Sequence, residues 1–276
     1  VRTAVFIDGY NVFYGLLAGT PYKWLNLSLL LSHICRVQDP AAIIETVNYY
    51  TSSVIPHLAT RGIESRHAQD TYIRALKTTG INIFTGRHRL EHARAPRFIS
   101  KKLPASRLDK VDIWELEEKE TDVNIAISMY RLFAKQQTLP IEERIAQLVL
   151  VSADTDMTPA LKAIREDFPD IRIGIILPHR QGNVRGVPGS LQNHSHWIRR
   201  TITNEELDAC QFPVRVATRK NLRLNPNIGK HQTTPFDAPR GKWHSSRCSP
   251  WWPISYRNVM RERLVINHSV QRPASG

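Results

Sequence analysis

Two apolar runs in this sequence stop on carboxylates, and few folds accommodate that. Thr3-Ala-Val-Phe-Ile7 runs into Asp8-Gly9, and the Leu-Val-Leu-Val of residues 148–151 runs into Ser152-Ala-Asp154-Thr-Asp156. Short unbroken runs of branched and aromatic residues, closed by turn formers, are the pattern of strands buried on both faces. A strand of that kind needs a layer of helices above and below its sheet. The segments between the two runs supply both kinds of element. Helical patterning covers residues 26–37, and a β-rich stretch, IIETVNYYTSSV at 43–54, follows the break at Pro40. Residues 65–79 read as a helix closing at Gly80, 81–84 as a third strand and 111–116 as a fourth.

Residues 121–134 carry Val123, Ile125, Ala126, Ile127, Met129, Tyr130 and Phe133, enough apolar surface for a largely buried helix. Thr121 is its expected N-cap, which sets Asp122 in the first turn. A further helix starts near Pro159 and ends at Asp167. A strand at 171–177 ends at Pro178-His179-Arg180, a last strand is expected at 197–202, and a helix at 204–210. Strands alternating with helices predict a mainly parallel sheet with helices on both faces and ligands at the carboxyl ends of the strands. Residues 86–108 show no clean period. Within 87–102 they hold six Lys and Arg against the single acid Glu91, and so read as a basic loop or insertion.

Composition divides the chain in two. The formal charge is +13, yet residues 1–213 hold 26 Lys and Arg against 23 Asp and Glu, whereas residues 214–276 hold 12 against 2. The excess therefore belongs to the last 63 residues, where periodicity is lost and Pro, Arg, Asn, His, Ser and Trp dominate. We expect a domain at 1–213 and a basic, disordered tail at 214–276. Three scattered cysteines, Cys35, Cys210 and Cys248, give neither a disulfide framework nor a paired metal knuckle, in keeping with a reducing, cytoplasmic setting. His244 and Cys248 have no second pair with which to complete a zinc site. No apolar stretch approaches 18 residues, so no membrane span is expected.

Asp8, Asp122, Asp154 and Asp156 are far apart in sequence, but the pattern sets each at a strand's carboxyl end or a helix start on one rim. Carboxylates crowded together repel one another unless a cation compensates them, and Mg²⁺ or Mn²⁺ suits an all-oxygen donor set. An aspartate after a strand is also ordinary turn and capping chemistry; the Asp154-Thr-Asp156 that follows a buried strand is what capping alone explains poorly. Asn11 either orients a group at the metal or shapes the Gly9-Tyr10 turn. Glu118 stands just before the helix. Arg87, Arg89, Arg94, Arg97, Lys101 and Lys102, interleaved with His88, His92 and Phe98, offer phosphate contacts for a polyanion, as does Arg180 beside His179. Trp243, Trp251, Trp252 and Tyr256 in the tail combine rings with cations in the same way.

Three blocks carry a family resemblance. Phe6-Ile-Asp8-Gly9-Tyr10-Asn11-Val12-Phe13-Tyr14-Gly15, Glu118-Lys-Glu-Thr121-Asp122-Val-Asn-Ile-Ala126 and Val151-Ser-Ala-Asp154-Thr-Asp156 resemble, in order, the signature blocks of NYN-domain proteins, a branch of the PIN-like nucleases. The segment 204–213 resembles the end of bacterial, LabA-like members. The resemblance implies a PIN-like three-layer α/β/α sandwich and a ribonuclease that uses Mg²⁺ or Mn²⁺. It implies RNA as partner and Asp8, Asp122, Asp154 and Asp156 on the acidic positions, and it leaves a homodimer and a protein inhibitor open. Two positions depart from it: Ser128 where many members carry Asp, and Thr155 where Gly is frequent. A non-catalytic RNA-binding or regulatory module is the alternative. Asp154-Thr-Asp156-Met-Thr158 also fits the pattern of haloacid-dehalogenase-type phosphatases, although that fold needs the pattern on an early strand.

Overall fold

A computed structural model describes residues 1–182, 186–217 and 222–224. Its centre is a seven-stranded sheet. In chain order the strands are β1 (Arg2–Asp8), β2 (Ile43–Ser52), β3 (Asn82–Pro96), β4 (Lys110–Lys119), β5 (Gln147–Val151), β6 (Arg172–Ile176) and β7 (Trp197–Arg199), arranged in space as β4-β3-β2-β1-β5-β6-β7. All neighbours are parallel except β3 and β4, which pair as an antiparallel hairpin.

β1 is central because both of its faces are apolar. Side chains alternate along a strand, so Val5 and Ile7 enter one hydrophobic cluster while Ala4 and Phe6 enter the other. The first cluster is closed by α1 (Gly9–Val12), α2 (Leu27–Gln38), α3 (Ile63–Lys77) and α7 (Asn204–Ala209), and the second by α4 (Thr121–Lys135), α5 (Thr158–Asp167) and α6 (Gly189–Asn193). The result is a three-layer α/β/α sandwich. Local signals start the helices. The Asn26 side chain accepts from the Leu29 N–H at 3.2 Å to cap α2, and Thr203 and Glu206 form a reciprocal capping box on α7. α2 and α4 then bury stripes at helical spacing, Leu27-Leu30-Leu31-Ile34 and Ile125-Met129-Phe133.

The sequence reading is corrected in four places. Residues 86–96 are not a loop but the second half of β3, laddered with β4 from Arg87 opposite Lys119 to Pro96 opposite Lys110. Beyond Gly86 the hairpin leaves the helix layers, so both faces meet water and apolar alternation disappears; cross-strand charge pairs such as Arg94 with Asp112 replace it. Thr121 is the first residue of α4, and the cap is Glu120 in a left-handed conformation, φ 78°. The last parallel strand ends at Arg199. Structure also continues past residue 213: β8 (Arg215–Val216) pairs with β9 (Leu222–Arg223), and Val216 and Leu224 are buried in the first cluster. The rest of the basic tail, including Trp243, His244, Cys248, Trp251, Trp252 and Tyr256, lies outside the described residues. No helix among the described residues is long and apolar enough to cross a membrane.

Candidate metal centre at the carboxyl edge

From β1 the chain builds outward to β2 and β3 on one side, and later to β5 and β6 on the other. Loops leaving β1 and β5 therefore diverge, opening a crevice at the carboxyl edge between them. Asp8 is the last residue of β1 and, in register with Ala4 and Phe6, points to the α4 side of that crevice. It is buried and held from three directions. The Asn11 N–H donates to Oδ1 at 3.0 Å, the Asn11 side-chain amide donates to Oδ2, and the Ser152 hydroxyl donates to Oδ2 at 3.2 Å.

Asn11 is committed at both ends of its amide, since its Oδ1 accepts from the Ala153 N–H at 3.1 Å. It ties the turn after β1 to the turn after β5 and so positions Asp8 and Asp154 relative to each other. Asp154 follows β5 by the same logic as Asp8 follows β1. Its N–H donates to Ser152 Oγ at 3.0 Å, and its carboxylate accepts from the Asp156 N–H at 2.9 Å.

Asp122 comes from the first turn of α4. Asp8, Asp122 and Asp154 each present a carboxylate oxygen, and these three atoms lie within 4.8 Å of one another. Asp156 is exposed at the rim, outside this trio. Glu118 is drawn aside, accepting from Ser52 Oγ at 2.8 Å and from the Thr121 hydroxyl.

Electrostatics mark the cluster as strained in the absence of a cation. Burial pushes the Asp8 carboxyl up to about 6, and the charge of Asp154 adds to this against the hydrogen bonds from Asn11 and Ser152. Asp122 is pushed up to about 7, first by burial and then by Asp8, Asp154, Glu118 and Asp156. A helix N-terminus alone favours the charged carboxylate; here burial and neighbouring carboxylates outweigh it. Three hard oxygen donors that resist simultaneous ionisation fit a divalent cation such as Mg²⁺ or Mn²⁺, which neutralises them as a set.

The basic residues separate into two groups. Arg87 pairs with Glu120, Arg89 with Glu91, and Arg94 with Asp112 at 3.5 Å, all along the exposed β3–β4 hairpin. Lys101 and Lys102 are exposed in the segment joining those strands. Arg180, just past β6, instead lies on the carboxyl edge, where its charge bears on Lys23. His179 is buried rather than on the surface. Sequence reasoning missed Lys23, for which no signal existed. It also missed Ser152, whose place two residues before Asp154 was the available clue, and the pair Tyr10 and His88, joined at 2.9 Å.

The NYN domain family model matches residues 2–183 of this chain, a span that contains Asp8, Asn11, Asp122, Asp154 and Asp156. The chain belongs to the NYN-domain family. This NYN protein is 32% identical over 237 residues to 6-hydroxy-3-succinoylpyridine 3-monooxygenase HspA of Pseudomonas putida, covering 80% of this chain and 73% of that one. It also superposes on a protein of unknown function from Vibrio parahaemolyticus with a TM-score of 0.40 at 11% identity, covering 72% of this chain and 91% of the other.

Proposed function

We propose that this NYN protein is a divalent-metal-dependent ribonuclease whose catalytic centre is the cluster of Asp8, Asp122 and Asp154. The convergence of three carboxylates at the topological switch point carries this reading, and membership of a PIN-like family supports it. Asp8, Asp122 and Asp154 would hold Mg²⁺ or Mn²⁺. When bound, the cation supplies charge neutralisation at the phosphate and acidifies water.

The chain's own residues do the rest. Asn11 and Ser152 fix both oxygens of Asp8, so the donor set needs little reorganisation. Asp156, exposed beside Asp154, accepts the proton of the attacking water. Water oxygen bonds to phosphorus as the bridging ester oxygen leaves and takes a proton from solvent, with no change of oxidation state. Ser128 lies beside the Tyr50 hydroxyl, so this position adds no charge to the site.

The test is cleavage of a mixed single-stranded and hairpin RNA by the wild-type chain and by Asp154→Asn, each with Mg²⁺, Mn²⁺ or EDTA. Metal-dependent cutting that disappears in the variant is the expected result; binding without cutting moves the assignment to a non-catalytic RNA-binding module. A second reading follows from the 32% identity to a protein named as a monooxygenase. In that reading the crevice admits a planar pyridine. Oxygen uptake with 6-hydroxy-3-succinoylpyridine and a two-electron donor, in the absence of any RNA cleavage, would select it.

A further inference from the structure

We propose that Phe13 and Tyr14, with Lys23 and Arg180 beside them, form a shelf that binds single-stranded RNA alongside the acidic cluster, the rings stacking on bases and the cations taking backbone phosphates. The inference rests on the ribonuclease reading for its choice of ligand.

The shelf is built by an unusual turn. After α1 the helix widens into a π-helical segment, Phe13–Leu17, a geometry that is rare and frequent at functional sites. The segment buries Leu16 and Leu17 but leaves Phe13 41% and Tyr14 42% exposed. The two rings meet edge to face at 5.1 Å, and Tyr14 stacks on Tyr10 at 6.5 Å and 15°. Tyr10 is in turn fixed by its hydroxyl to the Ser52 carbonyl at 3.2 Å and lies two residues from Asp8. The ring series therefore leads from open surface to the metal centre.

The seat of the segment is equally specific. A Cβ at Gly15 would collide with the Pro178 carbonyl, so the π turn sits directly on the loop that carries Arg180. That close approach brings two cations together. Lys23 Nζ stands 5.0 Å from the Phe13 ring centroid. Burial, and then the charge of Arg180, push its amine down to about 8. Among the described residues no carboxylate pairs with either cation, and Arg180 Nε is buried without a hydrogen-bond partner. Two uncompensated, partly desolvated like charges are costly together, and an anion between them relieves both. Ring faces next to an anion site match the repeating base and phosphate of a single strand, whereas a duplex hides its base faces.

The experiment uses the full chain in EDTA, so that binding is read independently of cutting. A fluorescein-labelled eight-nucleotide oligouridylate is titrated by anisotropy across a salt series. Lys23→Glu and Arg180→Glu should each weaken binding at least roughly tenfold and flatten the logarithmic salt slope by about 0.7 for each phosphate no longer neutralised. Phe13→Leu and Tyr14→Leu should weaken it roughly five- to a hundredfold, while Phe13→Trp and Tyr14→Trp, which keep a stacking face, should retain it. An eight-base-pair RNA duplex should bind more weakly than the single strand.

Absence of binding by the wild type, wild-type affinity in the four weakening variants, equal weakening with Trp and Leu, or tighter binding of the duplex would each overturn the shelf. Tighter binding of 6-hydroxy-3-succinoylpyridine, abolished in the same variants, would overturn RNA as its occupant. Failure of cleavage in the metal experiment leaves these outcomes readable, because the binding titration contains no free metal.

Discussion

Asp122 and Asp8 hold their protons more tightly in the folded chain than in the unfolded one, with carboxyls raised to about 7 and about 6 from 3.8. The stability this contributes is full below about pH 4 and is lost as pH rises through 6 and 7. Metal-free protein should therefore melt at progressively lower temperature between pH 4 and 7, and saturating Mg²⁺ or Mn²⁺ should remove that slope; a flat metal-free profile in a scanning melt would contradict the assignment. By the same reasoning Asp122→Asn should raise the metal-free melting temperature at pH 8 by a few degrees while abolishing the metal-induced gain. Asn11→Ala should cost about 1–3 kcal/mol in urea denaturation, since it leaves the Ala153 N–H without its acceptor and takes the amide donor from Asp8 Oδ2, while the backbone N–H at position 11 still serves Oδ1. The aspartates were legible in the sequence because each follows a buried apolar run or opens an apolar helix. The commitment of Asn11 at both ends was not, because its second partner belongs to a turn 142 residues away.

At the scale of elements, legibility followed the number of buried faces. β1, β5 and β6 announce themselves because water touches neither side of them, and α4 does so through its apolar stripe. The outer half of β3 could not, since a strand wet on both faces has no hydrophobic period and only its pairing with β4 defines it. The π segment was hidden for a different reason: it sits with Gly15 directly against Pro178, an encounter with no local signature. Gly15→Ala should accordingly lower the melting temperature by several degrees and weaken oligonucleotide binding. Gly186→Ala, where a Cβ meets nothing within 4 Å, should do neither. Circular dichroism melts on the two variants decide the point.

For the molecule as a whole, the sequence's change of composition near residue 214 marks where charge accumulates rather than where packing stops. Leu224 is 1% exposed in the core, and its N–H donates to the Val214 carbonyl at 2.9 Å. Leu224→Ala should cost about 2–5 kcal/mol in a urea midpoint measurement, the penalty of a core truncation rather than of a tail substitution; a change within about 0.5 kcal/mol, the range of an ordinary surface substitution, would return the boundary to residue 213. The pairing of β1 with β5 has a consequence in time. Thr3 lies opposite Gln147, and Ser152 reaches Asp8 across 144 residues. Pairings of such sequence separation form late, because a long stretch of chain must be ordered first. In refolding, metal-induced stabilisation should lag behind the formation of helical signal. During synthesis Asp8 emerges well before Asp122 and Asp154, so a nascent chain has no assembled acidic centre until residue 154 has left the ribosome.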